Sequence, residues 1–329
     1  MFFAMPNTIY AIYNFDGFPI TWYIKGEIHG DIFIDGGHGI DGTPYIEDFS
    51  IPGSAGRKIY WAGVFIGVWG GDEYNTGWVQ AQINDTKTNI YNLKGVNDKN
   101  ENVLCSGHGV YLVHYNITSF VSLNSTLRIE VNTGGVSLDG RVYGMVLIVI
   151  YQEEDNNYIK FEIGFGNVGL HYMIQGVSYN EFIYNFKDTY NVSKFDNSIL
   201  YTSQLATTNG ENDYLYYNGH LLDSNSGDES QGSYFDLDSY NVSEMLNNSN
   251  SVEFSRDSEG YIHPTIVLLK SKYKSGEFID EENIEYNIET HGSHPYGFNM
   301  LYIIAPLVLI ITISIFVIQY YRKKNNTNI

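Results

Sequence analysis

The sequence predicts an all-β protein: two tandem antiparallel β-sandwiches of jelly-roll-like form, followed by one C-terminal transmembrane helix. Three observations predict it. Short apolar or alternating runs recur between clusters of Gly, Asn, Asp and Ser over the first 275 residues, with few long stretches of helical periodicity. A set of blocks in the first half returns, in the same order, in the second. Met300 to Ile318 is an uncharged, almost wholly apolar run of 19 residues. The resulting division is an N-terminal remnant (1–13), a first sandwich (14–157), a connecting strand-rich segment (158–195), a second sandwich (196–275), an acidic stalk (276–298), the helix (299–321) and a tail (322–329).

The chain begins Met1-Phe2-Phe3-Ala4-Met5-Pro6, without the basic start and unbroken apolar core of an export signal. A start upstream of Met1 is expected, with a tail-anchored protein as the alternative. Residues Gly17–Asp41 read as a strand pair. Strands are then predicted over Lys58–Val68, Trp78–Ile83, Val110–Tyr115, Thr126–Val131 and Val142–Tyr151. Val146 to Ile150 is continuously apolar, which suits a strand buried on both faces; a short buried helix would read the same.

The repeat is clearest at Tyr115-Asn116-Ile117-Thr118, followed by Asn124-Ser125 and an alternating strand. It returns as Tyr240-Asn241-Val242-Ser243, followed by Asn250-Ser251. Ile59-Tyr60-Trp61 pairs with Leu200-Tyr201-Thr202, Gln82–Asp85 loosely with Tyr216–Gly219, and Val146–Val149 with Ile266–Leu269. Offsets that shrink along the chain imply longer loops in the first copy.

The apolar run roughly matches a ~30 Å hydrocarbon core at ~1.5 Å per residue. Pro306 removes one backbone donor, which transmembrane helices tolerate, and Tyr302 lies among the aromatics expected at the headgroups. Arg322, Lys323 and Lys324 follow directly, so the C-terminus is expected in the cytoplasm and the N-terminal bulk outside. All 38 acidic residues and 15 of the 18 basic ones precede the span. So acidic a surface repels nucleic acid, and the partners expected are membrane lipid through the helix and a glycan, cell-wall polymer or surface protein through the sandwiches. Cys105 is the single cysteine, which excludes a disulfide within the chain.

The Tyr-Asn-(Ile/Val)-(Thr/Ser) element, its turn and the strand after it resemble galactose-binding-like jelly-roll domains, where the Thr/Ser caps a turn that plugs one end of the sandwich. Asn218-Gly219 resembles their tight hairpin and favours a type I′ turn. More widely, residues 14–275 resemble a domain of unknown function from adhesin-like surface proteins of methanogenic archaea. Asp16–Ile20, Asp31–Gly39, Ile59–Val64, Gly140–Tyr151 and the Asn218-Gly219 turn carry that resemblance. It implies a displayed, adhesin-like role and supplies no ligand.

No HExxH, Walker, GxSxG or paired-cysteine motif is present, and the chain is not expected to be an enzyme; a glycoside hydrolase is the minor alternative. Cys105-Ser106-Gly107-His108 places nucleophile and base types side by side, yet adjacency in sequence does not build a catalytic pair. His291 and His294 stand close together in the juxtamembrane stretch, too few to hold a metal alone. Trp69 and Trp78 bracket a Gly-rich loop; with Asp72 and Tyr74 they are the candidate ligand-binding residues, the alternative being that both tryptophans pack in the core. No cofactor is required. Asp31, Asp35 and Asp41, in a Gly-rich stretch, are the carboxylates that would suit Ca²⁺, an ordinary hairpin loop being the alternative. The acidic loop Asp223–Glu229 reads as solvated. The function expected is a membrane-anchored, adhesin-like surface protein, with a structural envelope protein as the alternative.

Overall fold

Side chains alternate along a strand, so a strand with one apolar face covers one core and a strand apolar on both faces must be covered twice. Both kinds occur here. The computed structural model describes residues 16–53, 56–153, 157–174, 177–277 and 283–286. The remnant, most of the stalk, the apolar span with Tyr302 and Pro306, and the tail with Arg322, Lys323 and Lys324 lie outside them. Among the described residues no helix is long and apolar enough to cross a membrane.

The strands are β1 (Asp16–Gly36), β2 (Tyr45–Ile51), β3 (Lys58–Trp69), β4 (Gly77–Ile83), β5 (Thr86–Lys87), β6 (Tyr91–Leu93), β7 (Val103–Cys105), β8 (Val110–Asn116), β9 (Ser125–Gly134) and β10 (Val142–Gln152). They continue as β11 (Tyr158–Ile174), β12 (Val177–Tyr179), β13 (Glu181–Asn185), β14 (Phe195–Leu205), β15 (Asp213–Tyr217), β16 (His220–Asp223), β17 (Phe235–Asn241), β18 (Ser251–Arg256), β19 (Tyr261–Tyr273) and β20 (Asn283–Tyr286). The only helices among the described residues are short 3₁₀ turns, so the chain is all-β.

One long sheet runs β17-β14-β19-β11-β1-β10-β3-β8-β7, with β12 and β20 added at β11 and β1. A sheet of β2-β9-β4-β5, with β6 on β4, covers its β10-β3-β8 end; the sheet β13-β18-β15-β16 covers the other end. Val64, Ile66 and Val68 of β3 meet Val79, Ala81 and Ile83 of β4 in the first core. Leu200 of β14 and Val267 and Leu269 of β19 meet Leu215, Val252 and Phe254 in the second.

The opposite faces of the long sheet also meet. Trp61, Phe65, Val146, Ile148 and Ile150 share one buried cluster with Phe161, Ile163, Phe165, Ile266 and Leu268. The rings of Phe65 and Phe165 lie 5.1 Å apart. The two sandwiches are thus stacked through a third apolar layer. This is why β10 is buried at every residue from Val142 to Tyr151: Met145, Leu147, Val149 and Tyr151 serve the first core, and Val146, Ile148 and Ile150 the layer between the sandwiches.

Residues 17–41, expected as a strand pair, instead supply the single strand β1. Its Asp16–His29 part pairs with β11 and its Gly30–Gly36 part with β10. At the change-over Gly30 has φ +155°, and a Cβ there would stand 1.9 Å from the carbonyl oxygen of Tyr151. Segment 158–195, expected as a connector, supplies β11, which lies between β1 and β19, and β13, at the edge of the second small sheet.

The two Tyr-Asn elements make matching bonds. Ile117 N donates to Ala62 O and Val242 N to Ser198 O, both at 2.9 Å. Thr118 Oγ1 accepts from Ala62 N and Ser243 Oγ from Ser198 N, again both at 2.9 Å. The expected role of the hydroxyl as turn cap is not what is observed. Asn116 and Asn241 accept from the N–H groups of Thr118 and Ser243, and the hydroxyls tie the turn to the neighbouring strand. At the β15–β16 hairpin, Asn218 and Gly219 have φ of +50° and +76°, the positive values a type I′ turn needs.

Candidate functional site at the seam between the sandwiches

At one end of the apolar seam the lining turns polar. β1 begins there with Asp16, the β7–β8 loop brings Ser106, Gly107 and His108, β11 brings Asn167 and His171, and β19 brings Tyr261 and His263. Asp16, Asn167, His171 and His263 are each at most 2% exposed. A polar group costs free energy when buried unless it is bonded, so each partner matters.

Asn167 is well served. Its Nδ2 donates to Leu104 O at 2.8 Å and Val110 O at 2.7 Å, and its Oδ1 lies 3.1 Å from His263 Nδ1. Asp16 Oδ1 accepts from Gly107 N at 2.8 Å. Only glycine permits this approach, since a Cβ at 107 would stand 2.6 Å from Asp16 Oδ2. Ser106 Oγ accepts from the N–H groups of His108 and Val110. Three buried ring nitrogens have no protein partner: His108 Nδ1, His171 Nδ1 and His263 Nε2.

Burial sets the protonation of this cluster. It raises the Asp16 carboxyl to about 6 against the pull of the Gly107 and Gly17 N–H groups. It lowers His108 to about 4, and it lowers His171 to about 4 with help from His108 and Arg256. His263 is driven well down by the same desolvation. Asp16 Oδ2 and His171 Nε2 are 3.9 Å apart. Asp16 takes its proton at a higher pH than His171, so the two do not form an ion pair; near neutrality a carboxylate faces neutral imidazoles.

Outward, the seam ends in rings. Trp69, His108 and Tyr261 are partly exposed. His108 stacks on Tyr261 with centroids 4.0 Å apart, and Trp69 stands edge-on to His108 at 5.4 Å. The arrangement sets flat apolar faces above buried groups that still have hydrogen-bonding capacity. It can grip a ligand that is apolar on one side and hydroxylated on its edges. It is not a cysteine site: Cys105 is 1% exposed, and burial pushes its thiol well up, against the thiolate.

The predicted residues distribute unevenly. Trp69 joins this rim. Trp78 lies over Gly134 on the outer face of β4, because Val79, Ala81 and Ile83 take the inner one. The two tryptophans therefore leave opposite sides of the first sandwich. Asp72 and Tyr74 are exposed in the loop between them, with Asp72 Oδ1 accepting from Tyr74 N at 2.9 Å. Asp31, Asp35 and Asp41 do not converge. Asp31 and Asp35 are four residues apart on an extended strand, roughly 13 Å. Asp31 Oδ1 is held by Lys270 Nζ at 2.8 Å, and Asp35 and Asp41 each accept from the following backbone N–H. Among the described residues no three His, Cys, Asp or Glu side chains are placed to hold one metal ion. Asp16, His108, Asn167, His171, Tyr261 and His263 were missed because only long-range strand pairing unites them. The one local signal was a histidine inside an apolar strand, at 171 and 263.

Solved structures superpose only loosely. PNGase F, a glycosylasparaginase from Flavobacterium meningosepticum, is 11% identical, with 78% of this chain and 99% of that one covered, at a TM-score of 0.27. A conserved protein of unknown function from Pseudomonas aeruginosa PAO1 is 8% identical, with 78% and 100% covered, at 0.28. The major capsid protein P2 of bacteriophage PM2 is 8% identical, with 75% and 100% covered, at 0.19. Superpositions this loose carry no argument about activity. No curated protein matches the chain. Residues 13–272 match the family described as Protein of unknown function (DUF3344), and the chain belongs to that family.

Proposed function

We propose that this chain is a membrane-anchored, adhesin-like surface protein that binds a glycan or cell-wall polymer at the seam between its sandwiches. The apolar run 300–318 and the basic residues after it are the sequence support for the anchor and for an outside-facing bulk. The bond-for-bond likeness of the Ala62–Ile117 and Ser198–Val242 turns supports two copies of one unit, with the second including β11 and β13 as well as 196–275. The observation that carries the binding reading is the rim of Trp69, His108 and Tyr261 over unpartnered buried imidazoles. A sugar ring presents an apolar face to stack and hydroxyls to bond, which is the complement of that surface.

The test is binding of the purified full-length chain to a panel of glycans and cell-wall polymers. Trp69→Ala is expected to weaken saturable binding at least tenfold, about 1.4 kcal/mol, while Trp78→Ala leaves it unchanged. Loss of binding in Trp78→Ala with Trp69→Ala unaffected would move the site to the outer face of the first sandwich. No binding by a folded sample would favour a structural envelope protein. One observation favours a second reading, a surface hydrolase: a carboxyl at about 6, as in Asp16, is suited to moving a proton near neutrality. Release of sugar fragments in the same panel, abolished in Asp16→Asn, would support it.

A further inference from the structure

The two sandwiches allow an internal comparison. With Ala62 and Ser198 in equivalent places, the strand registers carry the equivalence inward. Ile66 and Val68 of β3 stand where β14 has Thr202 and Gln204. Val113 and Tyr111 of β8 stand where β17 has Asp238 and Asp236. In the first sandwich all four belong to the apolar core. In the second the four places hold oxygen-bearing side chains, so the scaffold does not itself require polarity there.

Their orientation follows from alternation. Leu200 and Tyr240 face the second core, hence Thr202, Gln204, Asp238 and Asp236 face it too. Asp213 of β15 stands across from them, linked through Ser226: Gln204 Nε2 donates to Ser226 O and Oγ, and Ser226 N donates to Asp213 Oδ1 at 2.7 Å. None of the ion pairs among the described residues includes any of these three carboxylates. Gln204 Oε1 and Thr202 Oγ1 are buried, at 0% and 1% residue exposure, and neither has a partner. Asp236 Oδ2 accepts from Thr207 Oγ1 at 2.6 Å and its Oδ1 from Ser230 N at 2.9 Å, and Asp238 Oδ1 accepts from Ser230 Oγ at 3.2 Å, while Gln204 Oε1 and Thr202 Oγ1 on the same face of the ladder remain open. A buried polar atom left so costs about 1–3 kcal/mol.

We infer that this end of the second sandwich binds one Ca²⁺, held by the carboxylates of Asp236 and Asp238 and the neutral oxygens of Gln204 and Thr202. Ca²⁺ accepts carboxylate, amide and hydroxyl oxygens in irregular geometry, whereas Mg²⁺ demands a near-ideal octahedron. Two carboxylates with neutral oxygens accord with the absence of any three-carboxylate cluster among the described residues. Such a set points to the weak class of extracellular modules, roughly 10⁻⁴–10⁻³ M. The ion would supply the charge that the first sandwich, with an apolar lining at these places, does not need.

The experiment is equilibrium dialysis of the full-length chain against ⁴⁵Ca²⁺, with thermal unfolding in Ca²⁺, in Mg²⁺ and in chelator. One Ca²⁺ per chain is expected, with a melting temperature that climbs with Ca²⁺. The isosteric pair Asp236→Asn with Asp238→Asn should bind at least tenfold more weakly, and Ca²⁺ should no longer raise its melting temperature above the value in chelator. If that pair does not fold, Asp238→Asn alone, at the partly exposed carboxylate, gives the same reading. No saturable binding below about 10 mM, well above that range, would overturn the inference. So would an equal shift with Mg²⁺, or unchanged binding in the Asn variants. The Trp69→Ala glycan test touches none of these residues, so the two proposals fail separately.

Discussion

Asp16 holds a charge that its surroundings resist. Its carboxyl is raised from 3.8 to about 6, so the folded chain holds that proton more tightly than the unfolded one. The sign follows: the cost is absent below pH 3.8, grows as pH rises to about 6, and is complete above it. A shift of about two pH units is worth about 3 kcal/mol, and at 2% exposure solvent screens little of it. Asp16→Asn keeps an acceptor for Gly107 N, so it should stabilise the chain by about 1–3 kcal/mol at pH 7 and by nothing near pH 3.5. Melting temperatures of both proteins across that range would check it; a variant equally stable or less stable at pH 7 would mean the carboxylate is better paired than its contacts imply. His108 and His171, lowered to about 4, act oppositely, costing stability as pH falls from 6.5 to 4, but they cancel in the comparison. The same residues mark how far single side chains could be read from sequence. A histidine inside an apolar strand announces burial, while nothing near 108, 171 or 263 announces that the three rings gather at one end of the seam, with His108 and His263 stacked at 5.8 Å and His171 beside Tyr261. Trp69 and Trp78 mislead in the converse way: nine residues apart in the chain, they face opposite sides of a sandwich.

Strands were legible where one face is polar and the other apolar, as in β4, β9 and β18. They were less legible where the pairing is remote. β1 reads locally as two strands because its Gly-rich middle resembles a turn, yet Gly30 is where one strand passes from one half of the long sheet to the other. At Gly30 an added Cβ would collide with Tyr151 O, and its φ of +155° is one that side chains resist. Gly30→Ala should therefore cost about 3 kcal/mol. Urea unfolding should show a lower midpoint with an unchanged slope. A cost below about 0.5 kcal/mol, within the range of ordinary surface changes, would mean the strand can cross between the halves without this backbone geometry.

At the scale of the molecule, the all-buried runs Val146–Ile150 and Ile266–Leu269 carried more information than tandem sandwiches use. A two-layer sandwich buries one face of each sheet; a strand buried on both faces needs a further layer outside it. Here that layer is the other sandwich. It follows that the two should not melt separately. β1 pairs into both halves, and Phe65 and Phe165, 1% and 3% exposed, meet in the seam. Scanning calorimetry of the full-length chain is expected to show one transition for these strands, with calorimetric and van't Hoff enthalpies in agreement. Phe165→Ala should cost about 3–5 kcal/mol, as loss of a buried ring does, and should lower that transition as a whole. If the wild type instead melted in two steps, with Phe165→Ala shifting only one of them, each sandwich would be stable alone. The polar end of the seam would then be free to open and close. Joint melting would fix Asp16, His108, His171 and His263, drawn from four strands and loops of both halves, as one preorganised set.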